Sequence, residues 1–167
     1  MHEAGSTLPE AAHAHHAAIQ PHLDRLPELA AMIGTVEPVE FAAAFERECA
    51  FVTGQLVPHM EAIERTLYGQ LERVMGQRHS MAPMREEHVT LRRLIGALCG
   101  YRASLLTGDL SPQEGIGLRR VLYRLYSILK VHLAEEELYL GVLDHNLSSE
   151  EKDALAVGIR HATSEPL

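Results

Sequence analysis

The chain has 167 residues, with fifteen Lys and Arg against twenty-three Asp and Glu, for a formal charge of −8. At 46% hydrophobic and 23% charged residues, its composition suits a single globular domain, residues 1–167, able to bury a core. The acidic balance argues against nucleic acid or an anionic membrane surface as partner, and no apolar run is long enough to span a bilayer.

The first residues, MHEAGSTLPEAAHAHH, have neither a basic start nor an apolar stretch and do not read as a signal peptide. Cys49 and Cys99 sit inside apolar helical patterns with no Cys-x-x-Cys, as reduced thiols of a cytoplasmic protein would. Histidine is the unusual component. Eleven occur, against three Phe and no Trp. Histidine titrates near neutrality and is the commonest metal ligand, so its positions need to be traced.

Apolar positions recur at three and four throughout, and sustained alternation is absent, so every element is predicted as helix. The first helix runs from about Leu8 to Met32 and must bend or restart at Pro21 and Pro27. The second runs from about Val39 to Met75, with Pro58 inside it and Gly76 to stop it. The third runs from Ser80 or Met81 to Thr107, where Gly108 suits the left-handed position that closes a helix. The fourth opens at Ser111-Pro112-Gln113-Glu114, a capping box with Pro in the first helical position, and continues to about His145. Ser148-Ser149-Glu150-Glu151 caps a short last helix to about His161. Four long helices on short connections describe an all-α fold, an up-down-up-down antiparallel four-helix bundle with a short C-terminal helix.

Each long helix offers its apolar face one histidine. His16 lies three residues before the Ile19, Leu23, Leu26 stripe, and His59 lies between Leu56 and Ile63. His88 sits inside the stripe of Met84, Leu91 and Ile95. His132 follows Leu125, Ile128 and Leu129, with Glu136 one turn on. A single histidine on such a face is commonly a satisfied core residue. Four together would cost roughly 1–3 kcal/mol each if left without partners. A metal ion satisfies them at once, and a carboxylate one turn from an imidazole offsets the charge. The other histidines read as solvated, His15 and His22 included. So do the charges Arg85-Glu86-Glu87 and Arg92-Arg93. Tyr123, Tyr126 and Tyr139, near His132 in sequence, read as core aromatics with polar tips.

The segments HHAAIQPHLDRL, LVPHMEAIERTLY, MREEHVTLRRL and KVHLAEEELYLGVLDHNL resemble the four helices of the hemerythrin-like, or HHE cation-binding, domains, in particular the small single-domain bacterial type. The resemblance spans residues 8 to about 147. It implies a non-haem iron site, ordinarily of two irons with oxygen-derived bridges, and His16, His59, His88, His132 and Glu136 as ligands. It also implies a small diatomic ligand, dioxygen or nitric oxide, or a peroxide as the molecule met there.

One position departs from the pattern. The family places a carboxylate four residues after the second-helix histidine, and this chain has Ile63 there. Glu61 and Glu64 flank it, but in a regular helix they point about 200° and 140° away from His59. A one-residue π-bulge would turn Glu64 towards the metal face, and Pro58 already disturbs this helix. Glu64 is therefore included as a further candidate ligand. Without it, one carboxylate and four imidazoles remain, a set that suits a single iron or zinc. Two functions follow: an iron protein acting on a small ligand, or a non-enzymatic metal-binding or scaffold module. A Ser- or Cys-based hydrolase is not supported, since neither Cys has a histidine at helical spacing and no nucleophile-elbow motif occurs.

Overall fold

The computed structural model describes residues 8–76, 80–107 and 110–164, and among these no strand occurs. Helix α1 is Leu8–Met32 and runs through both of its prolines. Gly34, at φ 72°, then reverses the chain, and the Thr35 N–H returns to the Met32 carbonyl at 3.0 Å. Helix α2 covers residues 38–75, helix α3 is Ala82–Gly100, helix α4 is Pro112–Asn146 and helix α5 is Ser149–Ser164. Gly108, proposed to close the third helix, and His2 and His79 lie outside the described residues, as do the side chains of His15 and His161.

Both capping boxes form. The Ser111 hydroxyl accepts from the Glu114 N–H, and the Glu114 carboxylate accepts from the Ser111 N–H at 2.9 Å. Ser148 and Glu151 repeat the arrangement at the start of α5. Two helices differ from expectation. α3 is not continuous to Thr107: it breaks at Tyr101, and Arg102–Thr107 resumes as a separate short helix. Gly100 disfavours helix at the break. The Tyr101 hydroxyl then seats against Gly117 of α4, where a Cβ would collide with it.

The larger difference is in α2. Its α-helical pieces Pro38–Phe51, Val57–Ile63 and Gly69–Met75 are joined by π turns at Val52–Leu56 and Glu64–Tyr68. In the first, the Val57 N–H bonds to the Val52 carbonyl. Pro58 follows with no N–H to continue a regular ladder, which favours the wider turn there.

α4 packs along α1 on one side and α3 on the other; α2 packs against α1, and α5 rests on α1 and α2. The apolar core has two parts. One gathers Leu23, Leu26, Phe45, Leu56, Leu98 and Leu122, and the other Ile63, Leu67, Leu71, Met84, Leu140 and Leu143. Between them lies a layer of polar side chains buried just as deeply.

Candidate metal centre

That layer contains His16 from α1, His59 from α2, His88 from α3, and His132 with Glu136 from α4. Their exposures are 6%, 3%, 0%, 1% and 0%. Each helix delivers its histidine because its apolar stripe faces the same axis. The five residues form two clusters with one member in common. His16, His59 and Glu136 make the first, and His88, His132 and Glu136 the second, with the donor atoms of each within 4.8 Å of one another.

Glu136 faces both clusters, one oxygen to each. Its Oε2 lies 3.2 Å from His16 Nε2 and 3.5 Å from His59 Nε2. Its Oε1 lies 3.1 Å from His132 Nε2 and 3.9 Å from His88 Nε2. Burial alone would raise its pKa, but hydrogen bonds from His132, His16 and His59 outweigh that and hold it well below the ordinary carboxylate range. It is a buried carboxylate that stays charged.

Three of the imidazoles are backed by a carboxylate on the other ring nitrogen. His88 Nδ1 donates to Glu64 at 2.7 Å, His132 Nδ1 to Glu87 at 2.8 Å, and His16 Nδ1 to Glu137 at 3.2 Å. With a metal bound, a proton held on Nδ1 would leave the Nε2 lone pair aimed inward at the ion. His88 Nε2 and His132 Nε2 are 2.8 Å apart. Two lone pairs at that distance repel unless a cation or a proton lies between them. Without a metal, one proton serves both: burial and His132 push His88 down to about 4, while Glu136 and Glu87 raise His132 against its burial. Imidazole nitrogens converging on one ionised carboxylate, three of them fixed from behind, suit a divalent transition metal.

Glu64 and Ile63 take different places. Ile63 is buried at 3% in the second apolar cluster, and Glu61 is exposed. Glu64 stands outside both metal-type clusters, between His88 Nδ1 and the Arg92 guanidinium, each at 2.7 Å. The π turn starts at Glu64 and so re-aims the residues after it rather than Glu64 itself. Each extra residue in a turn winds the following helix face back by about 100°. This brings Tyr68 into the site. Its hydroxyl lies 3.2 Å from His88 Nε2 and 3.4 Å from Glu136 Oε1, and its side chain is fully buried. Burial and the Glu136 charge raise its pKa, so it remains a phenol able to donate.

The sequence does not single out Tyr68 or Glu137, and it places Glu87 on a solvated face. The tyrosines singled out there sit elsewhere: Tyr123 is half exposed, and Tyr126 and Tyr139 pack on the margins of the two apolar clusters. The charged residues on α3 are not simply a solvated face, because Glu87 holds His132, Arg92 holds Glu64, and Arg85 pairs with Glu72 over the Tyr68 ring. His22 is only partly exposed; it bonds to Glu48 at 3.2 Å and stacks on Phe51. His13 and His145 are exposed as expected. For Glu87 and Glu137 a usable signal exists: each adjoins a residue of the site in sequence, and buried histidine ligands ordinarily need a partner on their second nitrogen.

An all-helical bundle with buried His and Glu side chains clustered from four helices defines a protein of cation-binding type. The family model for the hemerythrin HHE cation binding domain matches residues 7–143, and the chain belongs to that family. No curated protein and no solved structure matches it. Membership of the family implies metal binding, and the His/Glu clusters fit such a site. Among the described residues, no helix is long and apolar enough to cross a membrane.

Proposed function

We propose that this is a non-haem iron protein of one domain, an up-down-up-down antiparallel bundle, whose centre binds or reacts with dioxygen, nitric oxide or peroxide. The observation behind this reading is the division of Glu136 between two histidine pairs, one oxygen to each. That arrangement suits two cations sharing one carboxylate. His16 and His59 would hold one ion, and His88 and His132 the other. Bound iron supplies a redox-active Lewis acid for the small ligand. The chain supplies the rest. Glu64, Glu87 and Glu137 orient the imidazoles, the two apolar clusters exclude bulk water, and Tyr68 offers one hydrogen-bond donor at the centre. A cytoplasmic setting accords with its two free thiols.

Ile63 favours a second form of this reading. With Glu136 the only carboxylate in either cluster among the described residues, two divalent ions would keep little anionic offset, so one would be held less tightly. A single iron, or zinc in a non-enzymatic module, is the limiting case. Metal analysis with an optical spectrum of the purified protein tests both. Iron near two per chain with a charge-transfer band supports the first, about one iron the second, and stoichiometric zinc or no metal rejects the iron centre.

A further inference from the structure

His16, one of the five inner residues, lines a cavity. The cavity, about 590 Å³, is a groove between α1 and α4. His16 is also the most exposed of the five, at 6%. These two helices are the most extensively packed pair in the molecule, yet at the level of His16 each carries an alanine facing the gap, Ala17 and Ala134. Larger side chains there would close the space over the His16 ring.

The mouth of the groove is crossed by a histidine–carboxylate contact and a loose ion pair between the same helices. His13 Nδ1 lies 3.7 Å from Glu137, and Lys130 Nζ lies 3.9 Å from Asp24. Both are largely exposed, so each contributes little to holding the gap shut. Glu137 also accepts from His16 Nδ1, which joins the rim to the ring at the floor.

We infer that the groove between α1 and α4 is the way in to the centre, with Ala17 and Ala134 as the residues that keep it open. This rests on the metal-centre reading above and adds the route and the class of molecule it passes. The rim carries one lysine against two carboxylates, on a chain of charge −8. It therefore favours divalent cations and neutral molecules of diatomic or peroxide size over anions.

The test is the rate at which metal-free protein takes up cobalt(II), followed by its visible absorption in a stopped-flow mixer. Ala17→Phe and Ala134→Phe are at exposed positions where a ring can fill the groove without entering the core; Ala97→Phe, at an exposed position of α3, is the control. Uptake should slow by about tenfold or more in the two groove variants, with final cobalt content unchanged, and stay at the original rate in the control. Lys130→Glu should speed uptake about threefold at low ionic strength and lose that gain in high salt. Unchanged rates in both groove variants, or a lower final content at an unchanged rate, would overturn the route while leaving the metal centre standing. No cobalt uptake by the unaltered protein would remove the centre, and the route with it.

Discussion

The Tyr68 hydroxyl reaches Glu136 across the bundle, 3.4 Å from its Oε1, out of a turn in which α2 widens from α to π. The same hydroxyl is 3.2 Å from His88 Nε2. One phenol thus touches the shared carboxylate and one imidazole of the second cluster. Tyr68→Phe keeps the buried ring and removes only this donor. Stability of the metal-free protein should fall by about 1 kcal/mol in urea denaturation. The optical spectrum of the iron-loaded protein should shift, and an identical spectrum would mean that the hydroxyl does not bear on the metal.

His132 ties the second cluster together, with His88, Glu136 and Glu87 all within 3.1 Å of its ring nitrogens. His132→Ala should remove most of the bound metal and lower the melting temperature of the purified protein. Metal content measured by atomic emission decides it, and full occupancy in the variant would show the assignment to be wrong.

The carboxylates behind the rings act through orientation. Glu87→Gln and Glu64→Gln each weaken the acceptor on a histidine of the second cluster without altering the cluster itself. Metal affinity should fall about 10–100-fold in each, measured by competition with a chelator. Glu61→Gln, at an exposed position of α2, should leave affinity unaltered.

Ile63 lies in an apolar cluster with Leu67 and Leu140, one turn from His59. Ile63→Glu should raise metal retention towards two ions per chain. In the metal-free state the same change buries an unpaired carboxylate and should cost about 2–4 kcal/mol. The melting temperature should therefore fall without metal and recover on loading. Loss of stability in both states, with no gain in metal, would exclude the bridging role for this position.

The capping box of α4 allows a test independent of the metal. Ser111→Ala should cost about 1 kcal/mol in chemical denaturation. Hydrogen bonds from the Ser104 and Ser111 side chains and the Ser111 N–H hold the Glu114 carboxyl at about 2, below its ordinary 4.5. A lowered pKa stabilises the fold above the ordinary value, and this contribution disappears as pH falls from 4.5 towards 2. Glu114→Gln should accordingly flatten the dependence of stability on pH across that interval. An unaltered dependence would show that other carboxylates carry it.

Much of this protein is decided by periodicity and end signals alone. The bounds of α1, the start of α4 and the cap of α5 follow from residues that interact within a few positions of one another. The burial of His16, His59, His88 and His132 follows too, because each shares a stripe with leucines or isoleucines and the stripe must face the core. Local spacing could not show what depends on a change of helical pitch or on reach between helices. The π turn at Glu64–Tyr68 holds one more residue per turn than the pattern assumes, so it leaves Glu64 behind His88 and carries Tyr68 to the centre. Cys49 and Cys99, fifty residues apart in the chain, share a hydrogen bond between neighbouring helices, and burial together with that contact pushes the Cys49 thiol up to about 12. Glu87 and Glu137 likewise find His132 and His16 only because α3, α4 and α1 pack side by side. A helix's own sequence specifies which face is apolar. Which side chain of the next helix meets that face is set by how the helices are rotated and offset, and the packing of the whole core decides that.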